Sequence, residues 1–284
     1  MLRIAKTIIG HRTWRRPNSQ TRFRLGGHLN DLLGFDGRRV LVTGSTAGIG
    51  RAAAEAFHAA GATVAINGRT AGAVDRAIDE MGGGPRLVAA PGDLSIGSER
   101  EHKIRRAIAD LGGLDVLVNN AGRGDDCRLE DVSPEYWQRM IDLNLKAAFF
   151  SSQLSIPELR RSRGAIVNVS SVLGLIGGPP GSVVYATTKG ALVQMTRMMA
   201  LSLAADGVRV NVICPGWIDT PMIQRDNAAA GNDALYKYVA DVVPMGRIGV
   251  PRETIGAMLY LAASSSSYTT GAVLSVDGGL ASGH

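Results

Sequence analysis

The sequence predicts an α/β protein with a single doubly wound parallel sheet of about seven strands between two layers of helices, a Rossmann-like architecture. From residue 36 onward, short apolar runs alternate with segments of helical periodicity. The apolar runs are continuous, as is typical of strands that are buried on both faces of a parallel sheet. The 284 residues include 36 glycines and 45% hydrophobic but only 5% aromatic residues, which indicates an aliphatic core of α/β type.

Strands and crossover helices are predicted to alternate along the chain. The strands are expected at 39–43, 63–67, 86–90, 116–119, 165–170, 208–213 and 271–276. The helices are expected at 49–60, 71–81, 98–111, 134–159 and 184–205. Because right-handed crossovers bring the carboxyl ends of parallel strands to one edge of the sheet, a ligand is expected at that edge. No repeat or linker is visible, so residues 36–284 are predicted to be one domain after an extension of residues 1–35.

The positive charge of the chain is concentrated in this extension. The formal net charge is +6, and residues 1–30 contain seven Lys or Arg and no Asp or Glu, which leaves −1 on the remainder. A domain without a basic surface is not expected to bind nucleic acid. We expect the extension to be disordered and the protein to be cytoplasmic. The arginine-rich, acid-free composition leaves import into an organelle as the alternative.

Cysteine usage and hydropathy restrict the class of protein further. The two cysteines, Cys127 and Cys214, lack the spacing of a metal site or of a disulfide framework. Reduced thiols and no bound metal are therefore expected. No segment approaches the ~18 consecutive apolar residues of a membrane helix, so no membrane association is predicted.

A glycine-rich segment joins the first predicted strand to the first helix. Residues 43–50 read Thr-Gly-Ser-Thr-Ala-Gly-Ile-Gly, with glycines at positions 44, 48 and 50. Glycine permits a tight turn and a close approach of the backbone to a phosphate, and the helix N-terminus behind it offers free N–H groups. The spacing is neither G-x-G-x-x-G nor a P-loop. Its position between strand and helix predicts a dinucleotide site, with an ordinary structural turn as the alternative.

A tyrosine and a lysine four residues apart predict acid–base chemistry. Tyr185 and Lys189 fall on one face of a predicted helix, about one turn apart. A neighbouring ammonium group favours the phenolate, so the tyrosine could act as a general acid or base. Ser171, fourteen residues earlier, could hydrogen-bond the oxygen that gains or loses the proton. The pair by itself is also compatible with a lysine that merely packs over a ring.

Together these segments resemble the short-chain dehydrogenase/reductase family over residues of about 36–280. The family motifs match, in chain order, residues 43–50, 119–122, 171–174, 185–189, 215–216 and 276–279. Residues 243–252 and the chain end resemble those of 3-oxoacyl-carrier-protein reductases and of sugar or cyclic-alcohol dehydrogenases. The resemblance implies an NAD(P)-dependent oxidoreductase that acts on CH–OH and C=O groups of a small molecule.

The resemblance also implies which residues contact the cofactor. The glycine-rich segment would contribute Gly44, Ser45, Thr46, Gly48, Ile49 and Gly50. The adenosine half would lie on Asp93, Leu94, Asn120, Ala121 and Gly122. The nicotinamide half would contact Tyr185, Lys189, Pro215, Gly216, Ile218 and Thr220.

The end of the second strand favours NADP(H) over NAD(H). An acidic residue there would bind the ribose hydroxyls of NAD and repel a 2′-phosphate. Residues 66–70 contain no acid and place Arg69 where it could contact that phosphate. A solvated surface arginine is the alternative, and Ala47 stands where some NADP enzymes of the family carry a basic residue. NAD(H) therefore remains possible.

The family implies a role for each residue of the reaction centre. Tyr185 would transfer the proton, Lys189 would lower the pKa of the tyrosine and hold the ribose, and Ser171 would bind the substrate oxygen. Asn144 would hold a water in a proton relay behind the lysine. The segment between Ser171 and Tyr185 is about one residue longer than usual, so Ser170 and Ser182 remain candidates for the serine role.

Substrate and assembly are less strongly encoded. Residues of about 221–243 are expected to form a lid over the substrate. A homotetramer is expected because the family assembles through the helices that carry Asn144 and Tyr185 and through the last strand. Two alternatives remain: a non-catalytic dinucleotide-binding sensor or scaffold, and a sugar-nucleotide epimerase or dehydratase, which shares the Tyr/Lys motif.

Overall fold

A computed structural model describes residues 33–231 and 233–283 and confirms the doubly wound parallel sheet. Seven strands pair in the order β3-β2-β1-β4-β5-β6-β7, and every pair is parallel. The strands are β1 Arg39–Val42, β2 Thr63–Gly68, β3 Leu87–Pro91, β4 Val116–Asn119, β5 Ala165–Val169, β6 Arg209–Pro215 and β7 Val273–Val276. Their order reverses between β1 and β4, which opens a crevice at the carboxyl edge of the sheet.

Helices cover both faces of this sheet. They are α1 Gly48–Ala59, α2 Ala71–Glu80, α3 Gly97–Leu111, α4 Pro134–Ile141, α5 Ala147–Ser162, α6 Val183–Leu203, α7 Pro221–Ala230, α8 Ala234–Val242 and α9 Ile255–Ala262. One layer contains α1, α2 and α9, and the other contains α3, α5 and α6. Successive side chains of a strand enter opposite layers, as Val40 and Leu41 show. The core therefore lies on both faces of the sheet.

Two helical features differ from the prediction. The helix expected at 134–159 is interrupted by a π-helical turn, Asp142–Lys146, between α4 and α5. Such turns insert one residue into the helix and are frequent at functional sites. The sequence pattern also gave no indication of α9, although Ile255 and Met258 of this helix are buried against the sheet.

The N-terminal boundary of the domain lies slightly before the predicted one. Phe35 is 1% exposed and packs edge-to-face on Phe57 of α1, with 4.9 Å between the ring centroids. The folded domain therefore includes Phe35. The predicted disorder and the import alternative concern residues that lie, except for 33–35, outside the described part of the chain. Within that part, no helix has the length and apolar character needed to cross a bilayer.

Candidate active site

Three neighbouring cavities form one groove along the carboxyl edge of the sheet. The distal cavity, of about 430 Å³, lies by Arg69 and Asp93. The central cavity, of about 300 Å³, lies between the glycine-rich turn and the Tyr185/Lys189 pair. The outer cavity, of about 410 Å³, extends from Tyr185 to Trp217. The distal and central cavities share the glycine-rich turn, and the central and outer cavities share Tyr185.

The glycine-rich turn, for which the position between strand and helix predicted a dinucleotide site, lines the groove. Gly44 has φ +64°, and a Cβ there would lie 2.9 Å from the Cα of Ala121. Gly48 has φ +57°, and a Cβ there would lie 3.3 Å from a carbon of Thr220. Both positions therefore require glycine, for conformation as well as for space. Thr46 and Ile49 also line the central cavity.

Two of the residues assigned to the cofactor lie beneath the turn. Ser45 is fully buried, and its hydroxyl donates to the carbonyl of Val42 at 2.8 Å and accepts from the N–H of Asn67 at 2.9 Å. A Cβ at Gly50 would lie 2.3 Å from the carbonyl oxygen of Gly44. Ser45 and Gly50 therefore support the turn, and neither residue lines the groove.

Asn67, which the sequence patterns did not single out, holds the turn from the neighbouring strand. Its Oδ1 accepts from the N–H of Gly44 at 3.0 Å, and its Nδ2 donates to the carbonyl of Ala90 at 2.9 Å. This buried amide ties the ends of β2 and β3 to the phosphate-side loop. A polar residue inside an otherwise apolar strand was the available signal.

The distal cavity contains the residues expected at the adenosine half. Asp93 accepts from the N–H and the hydroxyl of Ser95 through one oxygen, Oδ1, and Leu94 forms part of the cavity wall. Arg69 is exposed at the rim, and no hydrogen bond or ion pair within the described residues engages its guanidinium group. A Cβ at Gly68 would lie 2.5 Å from a carbon of Thr46, so a side chain does not fit at that position.

The segment after β4 connects the two halves of the groove. The side chain of Asn120 donates to the carbonyls of Thr43 and Gly44 at 3.0 and 2.9 Å. The hydroxyl of Thr43 accepts from the N–H groups of Asn120 and Ala121, each at 3.0 Å. A Cβ at Gly122 would lie 3.4 Å from the Nζ of Lys189, so glycine keeps this part of the groove open.

Tyr185 and Lys189 meet on the first turns of α6, as their spacing predicts. The Nζ of Lys189 donates to the carbonyl of Val169 at 3.0 Å and lies 5.6 Å from the centroid of the Tyr185 ring. Lys189 is buried and Tyr185 is half-buried between the central and outer cavities. The groove thus places an ammonium group behind a phenol that faces two cavities.

The electrostatics of the pair differ from the expected ones. Burial raises the pKa of the Tyr185 phenol above its ordinary value, and interaction with the Ser171 hydroxyl lowers it. Burial also lowers the pKa of Lys189 to about 8, while Cys214 acts in the opposite direction. Desolvation therefore outweighs the hydrogen bond with Ser171 in setting the direction of the shift in the Tyr185 pKa.

The three serine candidates have different surroundings. Ser171 lines both cavities beside Tyr185, and its hydroxyl accepts from the N–H of Leu173 at 3.2 Å. The hydroxyl of Ser170 donates to the carbonyl of Lys189 at 2.8 Å. Ser182 lies farther along the outer cavity, 3.5 Å from an oxygen of Asp126. The geometry favours Ser171 for contact with a substrate oxygen.

Asn144 lies in the π-helical turn, behind the pair. Its Oδ1 accepts from the N–H of Arg123 at 2.8 Å, and its Nδ2 donates to the carbonyl of Arg123 at 2.9 Å and to Thr188 at 3.2 Å. Thr188 in turn donates to the carbonyl of Tyr185 at 2.7 Å. The side chain of Asn144 therefore links the segment after β4 to α6, in addition to the relay role expected from the family.

The end of β6 and the segment that follows it form one wall of the central cavity. Pro215, Gly216, Ile218 and Thr220 all line the central cavity. The predicted lid consists of α7 and α8, and Met222 of α7 faces all three cavities. The predicted cofactor residues thus line one continuous groove, apart from the two beneath the turn.

The shape and donor set of this groove fit a nicotinamide dinucleotide. The N-cap residue of α1, Ala47, provides no side-chain hydrogen bond, so the first N–H groups of the helix are available to an anion. The crevice lies where the strand order reverses, the place at which open α/β sheets bind dinucleotides. The fold and the groove define a dinucleotide-dependent oxidoreductase.

Comparison with known proteins identifies the family. A family model described as enoyl-(acyl carrier protein) reductase matches residues 44–281. The chain is 38% identical over 249 residues to a 3-oxoacyl-[acyl-carrier-protein] reductase of Thermotoga maritima, covering 87% of this chain and 98% of the relative. A short-chain type dehydrogenase/reductase from Mycobacterium marinum has a similar structure, with a TM-score of 0.82, 32% identity, and coverage of 88% and 98%.

A gluconate 5-dehydrogenase from Burkholderia cenocepacia, solved in complex with NADP and tartrate, has a TM-score of 0.81 and 32% identity, with coverage of 90% and 99%. The chain belongs to the short-chain dehydrogenase/reductase family. It is an NAD(P)-dependent oxidoreductase that acts on alcohol and carbonyl groups.

Proposed function

We propose that Tyr185 transfers the proton in the interconversion of a small carbonyl compound and its secondary alcohol, the reaction lying at the junction of the central and outer cavities. The observation that carries this proposal is the position of the phenol between the two cavities, with the Lys189 ammonium group behind it. The nicotinamide supplies or accepts the hydride when the cofactor is bound.

The residues of the chain orient the substrate and move the proton. The Ser171 hydroxyl donates to the reacting oxygen and stabilises the negative charge that develops on it. The Tyr185 hydroxyl gives its proton to that oxygen in reduction and takes it back in oxidation. Lys189, held by the carbonyl of Val169, stabilises the phenolate electrostatically. Asn144 keeps the segment after β4 in register with α6.

Replacement of the tyrosine tests this assignment. Tyr185→Phe removes the proton donor and leaves the ring in place, so kcat should fall at least about 100-fold. Tyr268→Phe is the matched control, because Tyr268 is fully exposed and lines none of the three cavities. Oxidation of the reduced nicotinamide is followed at 340 nm with a panel of ketones and aldehydes. Retained activity in Tyr185→Phe would overturn the proposal. Absence of activity in the wild-type protein with every compound of the panel would favour the non-catalytic sensor.

We further propose that NADP(H) is preferred to NAD(H). Arg69 offers a guanidinium group without a protein partner at the rim of the distal cavity, and a 2′-phosphate is its natural ligand. The neighbouring Gly68 leaves no room for the acidic side chain that would select the unphosphorylated ribose. The NADP bound to the gluconate 5-dehydrogenase supports the same preference.

Arg69→Ala tests the preference for the phosphate. The KM for NADPH should rise about 10-fold or more, because a charge-assisted contact worth ~1.5–3 kcal/mol is lost. The KM for NADH should change less than threefold. Arg252→Ala, which removes another exposed arginine, controls for the change in net charge. A wild-type KM for NADH equal to or below that for NADPH would contradict the proposal.

The names of the relatives suggest two substrate classes for the outer cavity: acyl thioesters on a carrier protein and sugar acids. We propose a free small molecule, because the cavity of about 410 Å³ is of the size of a small-molecule site. We also propose a cytoplasmic homotetramer, in keeping with the assembly expected from the family. The exposed apolar residues of α5 and α6 support an assembly, and its test is given below.

A further inference from the structure

The outer cavity contains a carboxylate that has no cationic partner. Asp126 lines this cavity, and no Lys, Arg or His of the described residues lies within ion-pairing distance of it. Within residues 33–231 and 233–283, its carboxylate has one hydrogen-bond partner, the hydroxyl of Ser182 at 3.5 Å from Oδ1. A carboxylate has about four acceptor positions, so most of the acceptor capacity of Asp126 is unused by the protein.

The other two carboxylates of the cavity are paired. The Nε of Arg123 donates to Asp125 at 2.8 Å, and a nitrogen of Arg225 lies 3.7 Å from the second oxygen of Asp125. The same Arg225 donates to Asp226 at 3.0 Å. Together, the two arginines and three aspartates carry one net negative charge. Among the described residues, Asp126 is the aspartate of this group that forms no ion pair.

The backbone places Asp126 close to the reaction centre. A Cβ at Gly124, two residues earlier, would lie 3.6 Å from a ring carbon of Tyr185. The N–H of Cys127 donates to the carbonyl of Gly181 at 3.1 Å. This hydrogen bond fixes the segment carrying Asp126 beside the segment carrying Ser182, so the two side chains form an acceptor and donor pair in the cavity wall.

An aromatic surface completes the same cavity. Trp217 and Tyr238 line it and pack edge-to-face, with 6.3 Å between their ring centroids. Aromatic faces beside polar groups suit the C–H surface of a molecule whose other groups form hydrogen bonds. The cavity therefore offers an apolar face together with a paired acceptor and donor.

We propose that Asp126 and Ser182 determine specificity by binding a hydroxyl group of the substrate beyond the reacting carbon, and that Asp126 excludes substrates with a carboxylate at that position. This inference rests on the function proposed above and specifies its substrate class: a hydroxylated, uncharged ketone or alcohol. A hydroxyl group can donate to a free acceptor position of Asp126 and accept from Ser182 once the Ser182 hydroxyl turns from Asp126 to the substrate. An ammonium group can only donate, so it gains nothing from the Ser182 proton.

The charge of the cavity argues against anions at this position. A substrate carboxylate would meet the uncompensated charge of Asp126, and like charges brought together with little water between them repel strongly. Burial, Asp226 and Asp125 already raise the pKa of Asp126, while Ser182 and Arg225 lower it. The carboxylate of a bound substrate would be a further negative charge beside Asp126 and would add to the repulsion from Asp226 and Asp125.

Matched ketones test the proposal with the wild-type enzyme. One set is 4-hydroxy-2-butanone, acetoacetate and 4-trimethylammonio-2-butanone, and a longer pair is 6-hydroxy-2-hexanone and 5-oxohexanoate. At pH 7.5 with saturating reduced cofactor, we expect kcat/KM for the hydroxyl compound to exceed that for the carboxylate at least about 10-fold in one set or both. The proposal would be overturned if kcat/KM for the hydroxyl compound were less than about 10-fold above that for the carboxylate in both sets, or below that for the ammonium compound in the first set.

Substitution of Asp126 tests whether this residue is responsible. Asp126→Asn should lower kcat/KM for the preferred hydroxyl compound about 10- to 100-fold, the range for a hydrogen bond to a charged group. The same variant should raise kcat/KM for the matched carboxylate, so the ratio between them should shrink or invert. Ser182→Ala should lower the hydroxyl value without raising the carboxylate value. Asp75→Asn, on the exposed face of α2, makes the same charge change outside the groove.

The outcomes separate this inference from the proposed function. If no ketone is reduced in the presence of either cofactor, the proposed function fails. A second outcome is that ketones are reduced in a reaction that requires Tyr185, while Asp126→Asn leaves the ratio of kcat/KM between hydroxyl and carboxylate compounds within threefold of wild type. In that case only the specificity inference fails. Circular dichroism and thermal unfolding of each variant establish that a lost activity is not lost folding.

Discussion

Lys189 illustrates at the scale of one residue how a functional group opposes stability. Its side chain is 4% exposed, and burial lowers its pKa from 10.5 to about 8. The carbonyl of Val169 accepts from its Nζ, yet no carboxylate of the described residues pairs with it. A buried ammonium group without an anionic partner destabilises the native state whenever it is protonated. We expect the groove to retain this cost because the proposed reaction requires the charge.

The shifted pKa predicts how stability depends on pH. Below pH 8, Lys189 is protonated in both the native and the unfolded state. The native state is then destabilised by the full free-energy cost of burying the ammonium group. Between pH 8 and 10.5 the unfolded chain binds the proton that the native lysine has lost, so the free energy of unfolding rises with pH. Relative to Lys189→Met, the wild type should gain up to about 3 kcal/mol across this interval.

Urea unfolding of both proteins from pH 7 to 10 measures this difference, and the comparison cancels the groups that they share. Lys189→Met should be at least as stable as the wild type at pH 7 while being nearly inactive. A constant difference in unfolding free energy over the whole pH range would contradict the assignment of the shifted pKa to Lys189.

At the scale of elements, two irregular features position the site. The π-helical turn between α4 and α5 places Asn144 against Arg123 and Thr188, and so joins α6 to the segment after β4. Helix α7, which belongs to the predicted lid, lines all three cavities through Met222. Arg225 of α7 donates to the carbonyl of Gly124 at 2.9 Å, which attaches α7 to the segment after β4.

Arg225→Ala should loosen the lid. The lost hydrogen bond and ion pairs are partly exposed and worth ~1 kcal/mol, so the KM for the cofactor should rise about fivefold while kcat changes less. Chymotrypsin cleavage of the lid, which contains Tyr236 and Tyr238, should become faster in the free enzyme. Arg160→Ala serves as the control, because it removes a surface ion pair between Arg160 of α5 and Asp206. Equal KM values for Arg225→Ala and wild type would show that this contact does not hold the lid.

At the scale of the whole molecule, the second helix layer presents apolar side chains to solvent. Phe149 and Phe150 of α5 are 39% and 38% exposed, and Met198 and Leu201 of α6 are 53% and 75% exposed. Exposed apolar side chains of this kind are often found at an interface between protein molecules. Their positions on α5 and α6 agree with the assembly that the family resemblance implies.

We therefore expect light scattering to give a mass well above the 29.8 kDa of one chain, and close to four times that value. Leu201→Glu places a charge in the proposed interface and should shift the protein to smaller species. Leu129→Glu, at a residue that is 68% exposed outside α5 and α6, is the control. A monomeric wild type would contradict the assembly, and a tetramer unaffected by Leu201→Glu would place the interface elsewhere.

The periodic elements could be predicted from the sequence because their signals are local. Strand β4 was predicted with its observed ends, and the other strands differ by one or two residues. The dinucleotide turn was predictable because its glycines require a positive φ or a close approach that other residues do not permit. Tyr185 and Lys189 share a face because four residues make about one helical turn.

Contacts between distant segments could not be predicted in the same way. Ser45 was assigned to the cofactor, yet its hydroxyl is engaged by Asn67, which lies 22 residues away. The direction of the Tyr185 pKa shift depends on burial, which a motif does not encode. The π-helical turn has no periodicity signal, because one inserted residue leaves the apolar pattern on both sides intact.

The sequence by itself determined the sheet, the dinucleotide turn, the Tyr185/Lys189 pair and the family, since each depends on residues that are close together in the chain or on an ordered set of motifs. The tertiary structure alone decided which of Ser170, Ser171 and Ser182 lines both the central and the outer cavity, and which carboxylate of the outer cavity has no ion pair among the described residues. Those properties depend on segments such as 123–126, 182 and 225, which come together only when the crossovers are formed. The set of side chains that line the groove is therefore a property of the folded chain.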